Sequence, residues 1–342
     1  MTTEYFAKDY EVKLFDYELE ALSDVTAAAL PQVPDNIWIT GAPLLWKQGF
    51  QGEGCKIGVL DSGIDNTHPD LAARVVFRRD YVQDGALPSQ FNAHGTHSCG
   101  IICANGNIKG VAPLASAIDY RVLNRAGSGT YDNLTRAIKD AVTDGCNIIN
   151  MSLGGPAQYP PLHDAIKAAV AANVLVCVAA GNAGPGQISY PAFYPEVVSV
   201  GAVNFDANTS AINLPQTPWF SNSNIEVDVA CDGYNVLSTL PGGRYGYMSG
   251  TSMANPAASG FAALLWQKYK TKMNKVPTEM ELYSELKTST IDVLQLGNDQ
   301  VAGAGFVTFY PELPKKVSTG QWTLPSLNTM QPASLELEKN SK

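Results

Sequence analysis

An alternation of short apolar runs with helical patterns, beginning near residue 55, limits most strongly how this chain can fold. Most of the runs are hydrophobic at successive positions, which is typical of parallel strands covered on both faces. The strand-like runs are KIGVL (56–60), AIDYRVL (117–123), NIINMSL (147–153), VLVCVAA (174–180), VVSVGAV (197–203) and IEVDVA (225–230). We therefore predict a set of buried parallel strands.

Two helical stripes lie between these runs. Their apolar residues recur at intervals of three and four positions: Leu134, Ala137, Ile138, Ala141 and Val142, then Leu162, Ala165, Ile166, Ala169 and Val170. This βαβα order predicts an α/β fold with a doubly wound, mostly parallel open sheet and helices on both faces. No internal repeat or low-complexity linker divides it, so one domain is preferred over two.

The ends of the chain differ from its middle. Residues 1–30 carry seven acidic and two basic side chains, a net charge of −5 out of −9 for the whole chain. The proline-containing segment LPQVPDN follows them and is interpreted as the connection to the main domain. We predict an acidic extension over 1–30, a main domain over 31–310 and a loosely attached tail over 311–342.

The overall charge excludes some partners. Lys and Arg number 23 against 32 Asp and Glu, and this acidic balance disfavours nucleic-acid binding, which usually leaves a basic footprint. No apolar stretch of about 18 residues suggests a membrane span, and the N-terminus lacks the basic and apolar regions of a secretory signal. We expect a cytoplasmic protein without a membrane partner. Its oligomeric state is open, with a homodimer as one option.

The six cysteines are scattered through apolar segments. This pattern fits neither a disulfide framework nor a CxxC metal site. Cys99 and Cys103 lie four residues apart, so a thiol pair or a ligand pair is conceivable there. Buried free thiols are the preferred interpretation.

Asp61 directly follows the first strand-like run, in the motif VLDSGID. Its carboxylate would lie at the carboxyl end of a parallel strand, the edge at which open α/β sheets bind ligands. A turn or cap aspartate explains this residue equally well when it is taken alone.

His94 and His97 share the motif NAHGTHSCG, where a helix is expected to begin. A zinc site is one interpretation, but the HExxH pattern and a third ligand are missing nearby. A general base is the better interpretation for one of the two, because imidazole transfers protons at neutral pH.

Ser252 lies in the motif MSGTSMANPAASG, just before a helical run expected over residues 257–269, with Pro256 in its first turn. A serine at a helix N-terminus can supply part of an oxyanion hole, although an ordinary N-cap serine is the alternative. Asn182 lies in the Gly-flanked loop AAGNAG, after another strand. Its side-chain amide would donate to a developing oxyanion at the same sheet edge.

The motifs DSGID, HGTH, AAGN and GTSMANP, in this order, resemble those of the subtilisin family around its Asp, His, oxyanion Asn and nucleophilic Ser. The chain order Asp, His, Ser is the subtilisin order. The resemblance covers about residues 42 to 260 and extends to about 310. With YNVLSTLPGGRYG before the nucleophile, the chain is most similar to bacterial intracellular subtilisins. A subtilisin-like peptidase domain over 31–310 is implied.

The resemblance implies a serine endopeptidase whose chemistry requires no cofactor. Ser252 Oγ would attack the scissile carbonyl, His94 would accept and return the proton, and Asp61 would orient and stabilise the imidazole. Asn182 and the Ser252 N–H would bind the oxyanion. His97 would be a structural neighbour.

Substrate binding is implied by the same resemblance. Two backbone segments would hold an extended peptide by strand addition, Tyr131 would line a distant apolar subsite, and small residues would leave a roomy primary pocket. The residues concerned are Gly127, Ser128, Gly129, Tyr131, Ser152, Leu153, Gly154, Ala179, Ala180 and Gly181. Ala183 stands where many subtilisins have Glu after the oxyanion Asn. We therefore expect large apolar side chains to be preferred before the cut.

Two family features are altered in this sequence. Asp70 matches a calcium ligand of the family, but the segment between Gly100 and Gly110 is shorter than in calcium-binding subtilisins. Asp70 is thus the one residue that supports a structural calcium site. A single carboxylate does not make such a site, because calcium commonly takes about six to eight oxygen ligands. The intracellular relatives also carry an inhibitory N-terminal segment with a proline that misaligns the bond. EVKLFDYE lies at about the matching place here, with Asp16 in place of the proline, so inhibition by residues 1–30 and a disordered acidic arm are both open.

The sequence also bears on three other functions. A catalytically silent peptide-binding scaffold of the same fold is the rival, although the four chemical positions are intact. A nucleotide-binding α/β protein lacks a Gly-rich phosphate loop after its first strand. An esterase would need G-x-S-x-G around Ser252 and a different triad order.

Overall fold

The protein is described by a computed structural model over residues 11–21, 30–205, 215–313, 315–316 and 322–323. Helices in this part of the chain are α1 (Asp35–Trp38), α2 (Ala42–Trp46), α3 (Ala93–Cys103), α4 (Tyr131–Thr143), α5 (Pro160–Ala171), α6 (Thr251–Met273) and α7 (Glu279–Thr288). A short 3-10 helix covers Pro88–Gln90. None of the helices in these ranges has the length and apolarity that crossing a bilayer requires.

The strands of the described residues are β1 (Glu11–Lys13), β2 (Glu18–Ala21), β3 (Lys56–Asp61), β4 (Val75–Asp80), β5 (Ser116–Arg121), β6 (Ser128–Thr130), β7 (Ile148–Met151), β8 (Leu175–Ala179), β9 (Val198–Val203), β10 (Val227–Asp232), β11 (Val236–Leu240), β12 (Arg244–Ser249), β13 (Thr290–Ile291), β14 (Phe306–Val307), β15 (Lys315–Lys316) and β16 (Trp322–Thr323). The six predicted apolar runs correspond to strands β3, β5, β7, β8, β9 and β10, and the other strands were not predicted.

A nine-stranded sheet forms the centre, in the order β13-β14-β10-β9-β8-β7-β3-β5-β4. Its strand pairs are parallel except for β13 with β14. Helices cover both faces: Ile57 of β3 belongs to a core cluster with Phe261 of α6, whereas Leu60 of the same strand packs with Ile138 of α4. The predicted α/β architecture is confirmed.

Helix α6 begins earlier than the sequence predicted. It starts at Thr251, so Ser252 is its second residue and Pro256 lies inside the helix instead of in the first turn. Proline has no N–H to donate to the carbonyl four residues earlier. The Ser252 carbonyl instead accepts a hydrogen bond from Ser152 Oγ at 3.1 Å. This side-chain contact replaces the missing helical bond and ties the nucleophile to the end of β7.

The described part of the predicted extension is paired with the main domain. Strand β1 runs antiparallel to β6, and β2 runs antiparallel to β12, whose other neighbour is β11. The remaining boundaries stay predictions. Residues 1–10 and 22–29 of the extension, and most of the tail over 311–342, lie outside the described residues.

Candidate active site

Asp61 and His94 meet at the carboxyl edge of the sheet. Asp61 is the last residue of β3, and His94 is the second residue of α3. His94 Nδ1 lies 2.9 Å from both carboxylate oxygens of Asp61, and both side chains are fully buried. Asn92 caps α3, because its Oδ1 accepts the His94 N–H at 3.0 Å. The carboxylate therefore fixes the tautomer with hydrogen on Nδ1 and leaves Nε2 free to act as a base.

Ser252 lies at the same edge but is not hydrogen-bonded to that base. Its Oγ donates to the Ser152 carbonyl at 3.3 Å. His94 Nε2 is buried and has no hydrogen-bond partner among the described residues. A rotation of the Ser252 side chain is therefore needed before its proton can pass to His94.

Asn182 is oriented by the start of α6. Its Oδ1 accepts hydrogen bonds from the Thr251 N–H at 2.9 Å and from Thr251 Oγ1 at 2.7 Å. Both groups donate, so the amide nitrogen of Asn182 must point the other way, into the cleft. There Nδ2 donates to the backbone carbonyl of Asp16 at 2.7 Å. A Cβ at Gly250 would lie only 2.8 Å from Nδ2, so glycine leaves room for this donor.

The two predicted backbone segments flank a strand supplied by the chain itself. Lys13 and Gly154 exchange two backbone hydrogen bonds, at 3.0 and 2.9 Å, and Leu14 N–H donates to the Gly127 carbonyl at 2.8 Å. On the same side Val12 is paired with Gly129. Residues 11–14 thus occupy the groove in the extended form that strand addition requires.

Phe15 lies beside the predicted primary pocket. A Cβ built on Gly154 would be 2.6 Å from Cζ of the Phe15 ring and 2.4 Å from Ser189 Oγ. Ala179 and Ala180, two other residues predicted to line this pocket, are fully buried. The side chain that lies against Gly154 is therefore the large aromatic ring of Phe15. Sequence reasoning missed Ser189, which belongs to no recognisable motif.

Tyr131 and Val12 mark a second apolar site. Tyr131 is fully buried at the start of α4, stacks on Tyr159 with ring centroids 5.6 Å apart, and shares a core cluster with the Val12 side chain. Val12 is itself fully buried. A distant apolar subsite at Tyr131 is consistent with this contact.

Other residues at the site had weaker sequence signals. Tyr17 donates to Asn92 Oδ1 at 3.0 Å, and its ring centroid is 5.2 Å from that of His94. An Asn two residues before the His was a usable N-cap signal for Asn92. Thr251 and Tyr17 act through tertiary contacts that no local pattern reveals.

His97 lies apart from the reacting groups. Its Nε2 is 3.0 Å from the Val236 carbonyl and 3.2 Å from the Gly246 carbonyl, so this nitrogen carries the hydrogen. Burial, followed by the nearby His94, lowers the pKa of His97 to about 3. It is therefore neutral at physiological pH and joins α3 to β11 and β12.

Asp70 is surrounded by hydrogen-bond donors. Its Oδ1 accepts the Asn107 N–H at 2.9 Å, and its Oδ2 accepts the Ile108 N–H at 3.1 Å and the Tyr245 hydroxyl at 3.0 Å. Donors of the chain face both oxygens, so hydrogen bonds within the protein already satisfy this carboxylate. Over the described ranges, no three His, Cys, Asp or Glu side chains are gathered as a metal site would need. Cys99 and Cys103 are buried, with sulfurs 3.7 Å apart.

Comparisons with known proteins agree with this geometry. The family model described as the subtilase family matches residues 52–305. The chain is 42% identical over 303 residues to an intracellular serine protease of Paenibacillus polymyxa, covering 84% of this chain and 89% of that protein. It is 38% identical over 313 residues to the major intracellular serine protease of Bacillus subtilis, covering 87% and 93%. Subtilisin E of Bacillus subtilis is 40% identical over 254 residues, covering 71% and 63%.

Proposed function

This chain belongs to the subtilase family, and we infer that it is a serine endopeptidase whose described form is inhibited by its own residues 11–17. One observation carries the inference. The three catalytic residues and the oxyanion donor Asn182 lie under residues 11–17, which are bound in the way a substrate would be. Asp61, His94 and Ser252 are all fully buried beneath that segment.

Hydrolysis then follows from the groups at this edge. Ser252 Oγ turns from the Ser152 carbonyl towards His94 Nε2, gives up its proton there and attacks the scissile carbonyl. The oxyanion is bound by Asn182 Nδ2 and the Ser252 N–H. His94 returns the proton to the leaving amine, and the acyl-enzyme is released by a water that His94 deprotonates. Asp61 stabilises the imidazolium throughout.

The register of the bound segment supports inhibition. Since Phe15 lies at the primary pocket, a substrate in this register would present the Phe15–Asp16 bond. Asn182 Nδ2 instead holds the carbonyl of Asp16, one residue further along. The oxyanion donor is therefore engaged with the wrong carbonyl, and Ser252 Oγ is directed at Ser152. This offset requires no proline at position 16.

The same segment supports a substrate preference. Phe15 beside Gly154 and buried Val12 near Tyr131 favour peptides with a large apolar residue before the cut and an apolar residue three positions earlier. We propose an intracellular setting, because two similar relatives are named intracellular serine proteases. Three expectations from the sequence stay predictions: that no nucleic acid binds, that a homodimer is one option, and that structural calcium binds at Asp70.

A labelling experiment tests the endopeptidase assignment. Wild-type chain and Ser252→Ala are incubated with casein and with a fluorophosphonate probe. With residues 1–21 removed, we expect the wild type to cleave casein and to label at Ser252, and the variant to do neither. Absence of casein cleavage by the wild type, even after residues 1–21 are removed, would instead support the silent scaffold.

A further inference from the structure

A second buried carboxylate lies close to the catalytic one. Asp119 of β5 is fully buried, and it is paired with Val59 of β3 on one side and with Arg78 of β4 on the other. Its position follows from the parallel sheet, since β5 is the direct neighbour of the strand that ends in Asp61. The reaction described above makes no use of it.

Asp119 and Arg78 together hold one backbone unit. Asp119 Oδ2 accepts the Ile64 N–H at 3.0 Å and Arg78 Nε at 2.6 Å. Arg78 Nη2 donates to the Ile64 carbonyl. The ion pair therefore binds both polar backbone groups of Ile64, which lies three residues after Asp61 in the chain.

The loop that contains Ile64 is held on its other side by the helix of the general base. Ser62 Oγ accepts the Gly95 N–H at 3.0 Å. The Asp65 N–H donates to Thr96 Oγ1 at 2.9 Å. The loop over residues 62–65 therefore lies between the Asp119–Arg78 pair and the first turn of α3, so its position determines how Asp61 faces His94.

Packing leaves this loop little freedom. A Cβ at Gly63, whose φ is +97°, would lie 2.5 Å from the Phe91 ring. The Arg78 guanidinium lies over the same ring, 5.0 Å from its centroid. A change at Arg78 would therefore disturb both the backbone contact and the aromatic surface against which the loop packs.

Keeping this carboxylate ionised costs stability. Burial raises the pKa of Asp119 to about 6, with Arg78 opposing and Asp61 adding to the shift. The ionisable groups facing it are Asp61 on β3, Arg78 on β4 and Cys99 on α3. Its Oδ1 has no hydrogen-bond partner among the described residues. A group that destabilises the fold at neutral pH is more readily explained by function than by packing.

We propose that Asp119 is a positioning residue for catalysis: with Arg78 it fixes the Ile64 backbone and thereby holds Asp61 in register with His94. The negative charge is needed because it keeps the Arg78 guanidinium in place over Ile64. The inference rests on the endopeptidase assignment but not on inhibition by residues 11–17.

The test uses the full chain after its activity has reached a plateau, with active sites counted by fluorophosphonate titration. Asp119→Asn keeps the shape of the side chain and removes its charge. Arg78→Lys keeps the positive charge but loses the guanidinium group that contacts both Asp119 and the Ile64 carbonyl. Asp144→Asn is the matched control, since Asp144 pairs with Arg79, the next residue of β4, at 2.6 Å. Values of kcat and KM are measured between pH 5 and pH 8, with the thermal midpoint recorded beside them.

We expect Asp119→Asn to lower kcat by about tenfold to a hundredfold at pH 8, with KM unchanged, as for a small misplacement of catalytic groups. The ratio of wild-type to variant kcat should fall towards one as the pH drops below 6, where wild-type Asp119 becomes neutral. Arg78→Lys should also have a lower kcat than the wild type, and its ratio of wild-type to variant kcat should still depend on pH. Asp144→Asn should behave like the wild type at every pH.

Three results would overturn the proposal: a kcat for Asp119→Asn equal to that of the wild type, a ratio that is the same at all pH values, or a loss that appears only together with a lowered thermal midpoint. The last would mark Asp119 as purely structural. If the wild type cleaves nothing even after residues 1–21 are removed, the endopeptidase assignment fails instead.

Discussion

The side-chain amide of Asn182 donates a 2.7 Å hydrogen bond to the backbone carbonyl of Asp16. The donor that would stabilise a reaction intermediate is thereby occupied by a carbonyl of the same chain. Asn182 is held in this orientation by Thr251, so the donor is preformed before any substrate arrives. Preformed donors stabilise a transition state without a cost of reorganisation.

Val12→Asp should release the inhibitory segment. Val12 is fully buried at the Tyr131 subsite, and an unpaired carboxylate there costs several kcal/mol. Since each 1.4 kcal/mol corresponds to about tenfold in an equilibrium, we expect at least a tenfold rise in the initial rate of peptide hydrolysis. Lys13→Asp is the matched control, because this neighbouring side chain is exposed. Equal initial rates for the two variants would argue against inhibition by residues 11–17.

Asn182→Ala should impair the chemical step. Loss of one oxyanion donor lowers kcat by about 10²–10³, with a small effect on KM. Steady-state kinetics on a Phe-directed peptide measure both constants. Thr251→Val removes the hydroxyl that orients the Asn182 amide but keeps the amide itself, so kcat should fall less than in Asn182→Ala. A normal kcat in Asn182→Ala would remove Asn182 from the oxyanion hole.

Gly154→Ala should change the substrate preference. The added methyl group would meet the space now shared by the Phe15 ring and Ser189 Oγ. We expect kcat/KM for Phe before the cut to fall by about tenfold, on the scale of a small change in an apolar pocket, and kcat/KM for Ala to change little. In the wild type, faster cleavage after Arg or Lys than after Phe or Leu would contradict the apolar pocket.

His97 should make the fold sensitive to acid. The pKa of its imidazole is lowered from 6.5 to about 3 by burial and by His94. Between these values the unfolded chain binds a proton that the folded chain does not, so stability is lost as the pH falls from 6.5 towards 3. From pH 6.5 to about pH 5 the loss from this residue is on the order of 2 kcal/mol.

Urea unfolding of Ser252→Ala at a series of pH values measures this effect without self-digestion. Adding His97→Asn should lower stability at pH 7 but reduce the difference between pH 7 and pH 5. An unchanged difference would assign the acid sensitivity to other groups.

Asp70 should stabilise the fold without calcium. Both of its oxygens accept hydrogen bonds from the chain, and losing such buried contacts costs about 1–3 kcal/mol. We expect Asp70→Ala to lower the thermal midpoint by the same amount in calcium and in EDTA. A larger loss in calcium would show that Asp70 contributes to a calcium site.

The sheet was accessible from the sequence because its signal is local. Strands buried on both faces are apolar at successive positions, and β3, β7, β8 and β9 follow the predicted runs within one or two residues. The four motifs follow the same logic, since each ends a strand or begins a helix at one sheet edge. The start of α6 was misplaced because Pro256 usually marks a first turn, whereas here Ser152 supplies the replacement hydrogen bond.

The sequence by itself determined the fold class, the family resemblance and the residues able to carry the chemistry. It did not determine the state of the site. Whether Asn182 meets a substrate or Asp16, whether Ser252 faces His94 or Ser152, and whether Asp119 supports Asp61 all depend on contacts between residues far apart in the chain. Such contacts follow no periodicity, because they are set by the packing of strands and helices around the edge where the motifs meet.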